Sequence, residues 1–365
     1  MKVLVTGATG HLGANLVRRL LADGQELRLF VREGRDHGAL EGLDVEVVRG
    51  DLRDLTAVRA AVRGCDRVYH CAAKVSTTAG NEREIYDTNV IGTRYVLRAA
   101  NESGVSRVVV TSSFSAVGHR HDRPSHEGDA FYPFEPHMPY ERSKAWMEHE
   151  CLKAVVEGLD VVIAISCAIL GPNDFIPSRM GRVVRDFANG KMRAYIPGGF
   201  EFVAARDLVD GHLLCMEKGR TGQRYVFSTR FVTVDELVGI LEQVTGRPRP
   251  RIRLPAAVMA PIARVSSFVL TNFFPEVPQR FTPGAVRILS MARRADITKA
   301  REELGYRPTS VEGALRDAYD WFVERGEITS PVARRAPARD YAPHANGAAK
   351  HGAPRHVAVS TGSVS

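Results

Sequence analysis

Eight residues near the start of the chain, Thr6-Gly7-Ala8-Thr9-Gly10-His11-Leu12-Gly13, put three evenly spaced glycines behind a short apolar run and ahead of an amphipathic stretch. A strand that turns this tightly into a helix belongs to a crossover unit whose next strand lies parallel to the first. The alternation continues from there. Residues 2–6, 27–31, 45–49, 68–72, 107–112 and 161–166 read as strands, and residues 12–22, 55–62, 84–103 and 140–157 as helices. Several of these strands, such as Val108-Val109-Val110, are apolar without interruption, the pattern of strands buried on both faces. The expected fold is therefore α/β, a doubly wound parallel sheet with helices on both sides, which binds ligands at the carboxyl ends of its strands.

After about Gly171 the rhythm loosens. Short strands at 193–196, 224–227 and 251–254 mix with helices near 207–217, 234–245, 257–270, 299–304 and 311–325. Thr233 and Glu236 have the spacing of a capping box for the second of these helices, and Gly246-Arg247-Pro248 stops it. The expected division is a dinucleotide-binding domain over 1–170, to which later segments return, and a smaller substrate-binding lobe over 171–330. The Ala-, Pro- and Ser-rich tail over 331–365 is expected to be disordered.

The glycines define the chemistry of the first turn. Gly7 permits the tight bend, Gly10 lets the backbone approach a pyrophosphate, and Gly13 lets the helix pack close to the sheet. The helix then offers free N–H groups and a partial positive charge to phosphate. Thr9, His11 and Leu12 complete the turn. At the tip of the second strand, Val31-Arg32-Glu33 has no acid in first place. Arg32 there suits a 2′-phosphate, so NADP is expected, with NAD possible as the alternative cofactor.

Among ten tyrosines, only Tyr140 is followed four residues on by a lysine, Lys144. On a helix the two share a face. A phenol ordinarily ionises near pH 10, and a neighbouring ammonium together with the positive nicotinamide ring is expected to lower that and suit the phenol to proton exchange. The strand ending in Thr111-Ser112-Ser113 delivers hydroxyls where a substrate carbonyl would sit. The expected set is Ser113 to orient the oxygen, Tyr140 to exchange its proton, and Lys144 to tune the phenol and hold the nicotinamide ribose.

Taken together, these motifs resemble the extended short-chain dehydrogenase/reductase family over about residues 1–325. The likeness is greatest to the dihydroflavonol-reductase-like and 3β-hydroxysteroid-dehydrogenase-like branch, and the chain also resembles bacterial hopanoid-associated sugar epimerases. The resemblance implies a Rossmann-type sheet, an NAD(P)-dependent enzyme acting on CH–OH groups and a homodimer built through the helices at 84–103 and 140–157. It also implies further cofactor contacts: Asp51 and Leu52 with adenine, Cys71, Ala72 and Ala73 beneath the cofactor, Asn89 in the helix behind the site, and Ser166 after the sixth strand. Two departures turn the reading away from nucleotide sugars. Phe200-Glu201-Phe202-Val203-Ala204 stands where such enzymes carry a diphosphate-gripping arginine, and Thr111-Ser112-Ser113 replaces the dehydratases' Thr-Asp-Glu. The activity expected is interconversion of a ketone and a secondary alcohol on a bulky, apolar small molecule. The alternative is a sugar epimerase.

Composition narrows the partners. The net charge of +8 is scattered rather than gathered into a basic stripe, which argues against nucleic acid. Five cysteines without a CxxC pair suit reduced thiols in the cytoplasm. No uncharged run reaches the roughly 20 residues needed to span a bilayer. His119, His121, His126 and His137 fall in a polar loop, and no metal site is expected. Phe131, Tyr132, Phe134 and His137 are candidates for a substrate lid, and residues 256–274 for core packing, a pocket wall or contact with a membrane surface.

Overall fold

The computed structural model describes residues 1–34, 38–76, 81–135, 137–255 and 283–329. The expected helix at 257–270, the stretch 256–274 and the tail lie outside them.

Seven strands form one sheet. In chain order they are β1 (Lys2–Thr6), β2 (Glu26–Val31), β3 (Glu46–Arg49), β4 (Arg67–His70), β5 (Arg107–Ser113), β6 (Val161–Ser166) and, after three strands placed elsewhere, β10 (Arg224–Phe227). Their spatial order is β10-β6-β5-β4-β1-β2-β3, and every pair is parallel. Helices α1 (His11–Ala22), α2 (Leu55–Val62), α4 (Gly92–Glu102) and α5 (Pro139–Val156) make crossovers between these strands. Burial explains the composition: every residue of β6 is buried, as are Val108–Val110 of β5. The order reverses between β1, which leads outward to β2 and β3, and β4, which leads to β5 and β6. The crevice at the carboxyl ends of β1 and β4 is thus the switch point where such sheets bind ligands.

A second core lies to one side. Strands β7 (Ala168–Leu170), β9 (Gly199–Ala204) and β11 (Arg230–Thr233) form a small mixed sheet, with β7 parallel and β11 antiparallel to β9. Helices α6 (Arg179–Ala188), α8 (Val234–Thr245) and α10 (Val311–Glu324) pack in this core with Phe202 of β9 through Val184, Phe187, Leu241, Leu315 and Phe322. A two-residue β8 (Ala194–Tyr195) pairs with β12 (Ile252–Arg253), and α9 spans Pro283–Met291. Helix α7 (Ala205–Lys218) packs into the core of the large sheet through Leu208, Val209, Cys215 and Met216 and also touches β7 and β9.

Three differences from the sequence expectation matter for the site. Strand β4 stops at His70, so residues 71–76 lie outside any strand, with Cys71 N still donating to the Thr6 carbonyl at 3.2 Å. The long helix expected over 84–103 is instead α3 (Glu82–Tyr86), a π-helical turn (Asp87–Ile91) and then α4. The capping box of α8 is half formed: Thr233 Oγ1 accepts from Glu236 N at 3.2 Å, while the Glu236 carboxylate pairs with Arg230.

Candidate active site

The glycine turn is shaped by contacts that no side chain could share. Gly7 has φ +71°, and a Cβ there would lie 2.5 Å from Ala72 N. A Cβ on Gly13 would lie 2.1 Å from the Gly7 carbonyl oxygen. Gly10 differs: it is exposed, and a Cβ would meet only that same oxygen, at 3.4 Å. Gly10 begins α1 in extended conformation and no side chain caps the helix. The first-turn N–H groups and the positive end of the dipole therefore face an open cradle, and the residues present fit a dinucleotide's phosphates.

Behind the turn runs a buried hydrogen-bond chain. Thr93 Oγ1 donates to the Asn89 carbonyl at 2.7 Å, so it must accept from His70 Nε2–H at 2.8 Å. His70 Nδ1 then accepts from Thr6 Oγ1 at 2.7 Å. Burial pushes the His70 imidazole down to about 3, so the ring stays neutral and this tautomer holds β1, β4 and α4 together. Asn89 sits on the π-helical turn. Its Oδ1 accepts from Lys74 N at 2.7 Å, and its Nδ2 donates to Lys74 O at 3.0 Å and Ser143 Oγ at 2.9 Å. The turn's extra residue lets Asn89 reach both the chain after β4 and the first turns of α5.

Tyr140 stands in the first turn of α5, just after Pro139, whose fixed φ suits a helix start. Lys144 lies one turn later and is 3% exposed, its Nζ donating to the Thr111 carbonyl at 2.8 Å. Ser112 and Ser113 diverge at the end of β5. Ser112 Oγ donates to Glu148 Oε1 at 2.5 Å, a carboxylate that also holds Arg224 at 2.6 Å. Ser113 Oγ accepts from Ser115 N at 3.3 Å and Ser115 Oγ at 2.9 Å, and its own proton is directed to the Tyr140 hydroxyl. Burial raises the Tyr140 phenol above its ordinary value, and the Ser113 hydroxyl opposes the rise. This burial works against the expected acidification, in which a positive nicotinamide ring acts on the phenol together with the Lys144 ammonium. Desolvation outweighs any effect of Lys144, whose amine is turned to the β5 backbone and is itself pushed down to about 8 by burial.

Gly7, Gly10, His11, Leu12, Gly13, Cys71, Ala73, Ser113, Tyr140, Lys144 and Ser166 all line one cavity of about 700 Å³. Its wall on the side of the second core includes Ile169, Ile176, Met180, Phe200, Ile288 and Met291. Residues 3–227 match the family model described as the NAD dependent epimerase/dehydratase family.

The chain belongs to the NAD dependent epimerase/dehydratase family. It is 48% identical over 328 residues to sterol demethylase protein B of Methylococcus capsulatus, covering 90% of this chain and 100% of that one. It is 31% identical to 2-alkyl-3-oxoalkanoate reductase of Stenotrophomonas maltophilia, covering 87% of this chain and 98% of the relative. The solved structure of DesIV, a dTDP-glucose 4,6-dehydratase from Streptomyces venezuelae with NAD and TYD bound, superposes with a TM-score of 0.73 at 26% identity. That match covers 89% of this chain and 98% of DesIV. This member of the epimerase/dehydratase family is an NAD(P)-dependent enzyme of the short-chain dehydrogenase type.

Not every expected residue reaches the cavity wall of this family member. Thr9 is half-buried in the turn, and Ala72 packs on Gly7. Leu52 is buried beneath Gly92, where a Cβ would lie 2.9 Å from it. Asp51 holds Arg53 through both carboxylate oxygens, at 2.9 and 2.7 Å, which keeps the carboxyl below its ordinary range. Arg32 is exposed at the tip of β2 and makes no hydrogen bond or ion pair among the described residues. Phe131 and His137 stack at 4.1 Å, and Tyr132 and Phe134 are exposed beside them, so the expected lid residues pack on one another rather than on the cavity. Sequence reasoning missed Arg179, Arg182 and Arg293, which do line it, and Glu148 behind it. Glu148 had a legible signal, because it continues the stripe of Tyr140 and Lys144 by another four residues.

Proposed function

We propose that the enzyme reduces a ketone, or oxidises a secondary alcohol, on a bulky apolar small molecule. Ser113, Tyr140 and Lys144 form the reacting group. The observation that carries this reading is the meeting, in one cavity, of the Ser113 and Tyr140 hydroxyls, the uncapped start of α1 and an apolar far wall. Ser113 and Tyr140 hold the substrate oxygen. Tyr140, kept protonated by burial, gives its proton to that oxygen during reduction and takes it back during oxidation. Lys144, still protonated at neutral pH, stands one turn behind to stabilise the phenolate and anchor a ribose. When bound, a nicotinamide dinucleotide supplies or accepts the hydride. The glycine turn with Thr9, His11 and Leu12 would hold its pyrophosphate, while Asp51, Leu52, Cys71, Ala72, Ala73, Asn89 and Ser166 would frame the rest. The exposed guanidinium of Arg32, unpaired among the described residues, favours NADP(H). The part of the chain built on the second core is the substrate lobe in this scheme, and Trp146, Leu152 and Val156, all exposed on α5, suit a homodimer.

A second reading, epimerisation of a nucleotide sugar, is favoured by Arg179 and Arg182, two exposed cations on one face of α6 at the cavity. A spectrophotometric screen separates the two. NADPH and NADH consumption is followed against steroid, flavonoid, aryl and alkyl ketones, with Tyr140→Phe as the control. Consumption of NADPH by the wild type but not the variant supports the ketone reading. Tightly retained NAD with no ketone-dependent oxidation of NADPH rejects it.

A further inference from the structure

Beyond the reacting group, the cavity contains a buried acid that the proposed chemistry does not use. Glu201 lies on β9 and is 9% exposed. Its Oε1 accepts from Ser228 Oγ at 2.7 Å. Its Oε2 has no hydrogen-bond partner, although the residue forms part of the cavity wall beside Cys167, Ile169 and Phe200. No cation is salt-bridged to it among the described residues. Arg294, whose charge acts on it from a distance, lies over the Phe231 ring at 4.9 Å instead.

Buried carboxyls without a partner are rare, because desolvation disfavours both the charge and the idle oxygen. The local hydrogen economy does not relieve this one. Ser228 has one proton and two acceptors in reach, Glu201 Oε1 and the Phe202 carbonyl at 3.0 Å. That carbonyl is already served by Thr229 N at 2.7 Å, so the serine proton is available to Oε1. Oε2 is left over. Burial raises the carboxyl above its ordinary value, outweighing the opposing pull of the Ser228 hydroxyl, of the Ala295 N–H, which faces the carboxyl without meeting hydrogen-bond geometry at Oε2, and of Arg294. The group therefore takes up a proton more readily than an ordinary carboxylate, and in that form can both donate and accept.

We propose that Glu201 is a specificity residue whose free oxygen hydrogen-bonds a second oxygen function, hydroxyl or carbonyl, on an otherwise apolar substrate. The inference rests on the ketone reading above and extends it: the substrate is an apolar framework with oxygen at two separated positions, one at Ser113 and Tyr140 and the other at Glu201. A site built around a hydrogen bond rejects the analogue lacking it more strongly than an apolar pocket rejects an added methylene.

The test uses full-length enzyme with NADPH and two probes, a steroid ketone and its counterpart with one more hydroxyl at the far end. Binding is measured calorimetrically on the Tyr140→Phe variant, and KM and kcat on enzyme with Tyr140 intact. The hydroxylated probe should bind about 10 to 100 times more tightly. Glu201→Leu should erase that preference through KM with kcat little changed, and Glu201→Gln should restore most of it. A calorimetric preference that depends on Glu201, without turnover of either probe, supports the second subsite while rejecting the ketone reading. Equal binding of both probes, no binding of either, or a preference that survives Glu201→Leu overturns the inference.

Discussion

Asn89 holds Lys74 by both of that residue's backbone groups, accepting from its N–H at 2.7 Å and donating to its carbonyl at 3.0 Å. Those two bonds fix the chain after β4, which carries Cys71 and Ala73 to the cavity. The arrangement exists because the helix is π-wound at Asn89, which is 1% exposed.

Asn89→Ala should therefore act on stability and cofactor affinity together. It leaves Lys74 and Ser143 with buried groups unserved, a loss of about 2–4 kcal/mol. Asn89→Asp, nearly the same shape, should lose as much, since its carboxylate cannot donate to the Lys74 carbonyl. Urea unfolding checks the first effect and dinucleotide titration the second. An alanine variant as stable as the wild type would remove the role given to this residue.

The glycines make a contrasting pair. Gly13→Ala would drive a methyl into the Gly7 carbonyl at 2.1 Å, so loss of dinucleotide binding and a lowered Tm are expected. A methyl added to Gly239, within α8, would meet nothing within 4 Å. Gly239→Ala should stabilise by roughly 0.5–1 kcal/mol, because alanine loses less chain entropy in a helix. Thermal melts of the two variants should move in opposite directions.

Lys144 gives a prediction with a definite sign. Burial pushes its amine down to about 8 from the ordinary lysine value of 10.5. Between those values the unfolded chain binds the extra proton, so stability rises with pH. Below pH 8 the whole cost of burying the charge is present. Lys144→Met should be more stable than the wild type at neutral pH by about 1–3 kcal/mol, allowing for the lost bond to Thr111. The advantage should shrink as pH climbs toward 10, and turnover should be abolished. Urea melts at neutral and alkaline pH decide it, and a methionine variant that is less stable at neutral pH would contradict the argument.

Arg32 tests cofactor choice. Its guanidinium is exposed and unpaired among the described residues, so Arg32→Ala should leave the fold and NADH affinity unchanged. NADPH affinity should fall about 10- to 100-fold through loss of a charge-assisted contact to the 2′-phosphate. Equal losses for both dinucleotides would place the arginine elsewhere in the mechanism.

What the sequence determined by itself was local and periodic. The glycine turn, the buried parallel strands and the Tyr140–Lys144 face follow from rules that act over a few neighbouring residues, and β1, α2, β6, β10 and α8 have the bounds that periodicity predicts. Strands β7, β9 and β11 were not legible. They are three to six residues long, and each pairs with a partner distant in the chain. Tertiary structure alone decided which polar groups are buried together. The tautomer of His70, the turning of Lys144 toward Thr111, the π-helical turn at Asn89 and the idle oxygen of Glu201 all depend on groups far apart in sequence. Their protonation and bonding are set by desolvation, and desolvation is a property of the packed fold rather than of the residues taken in order.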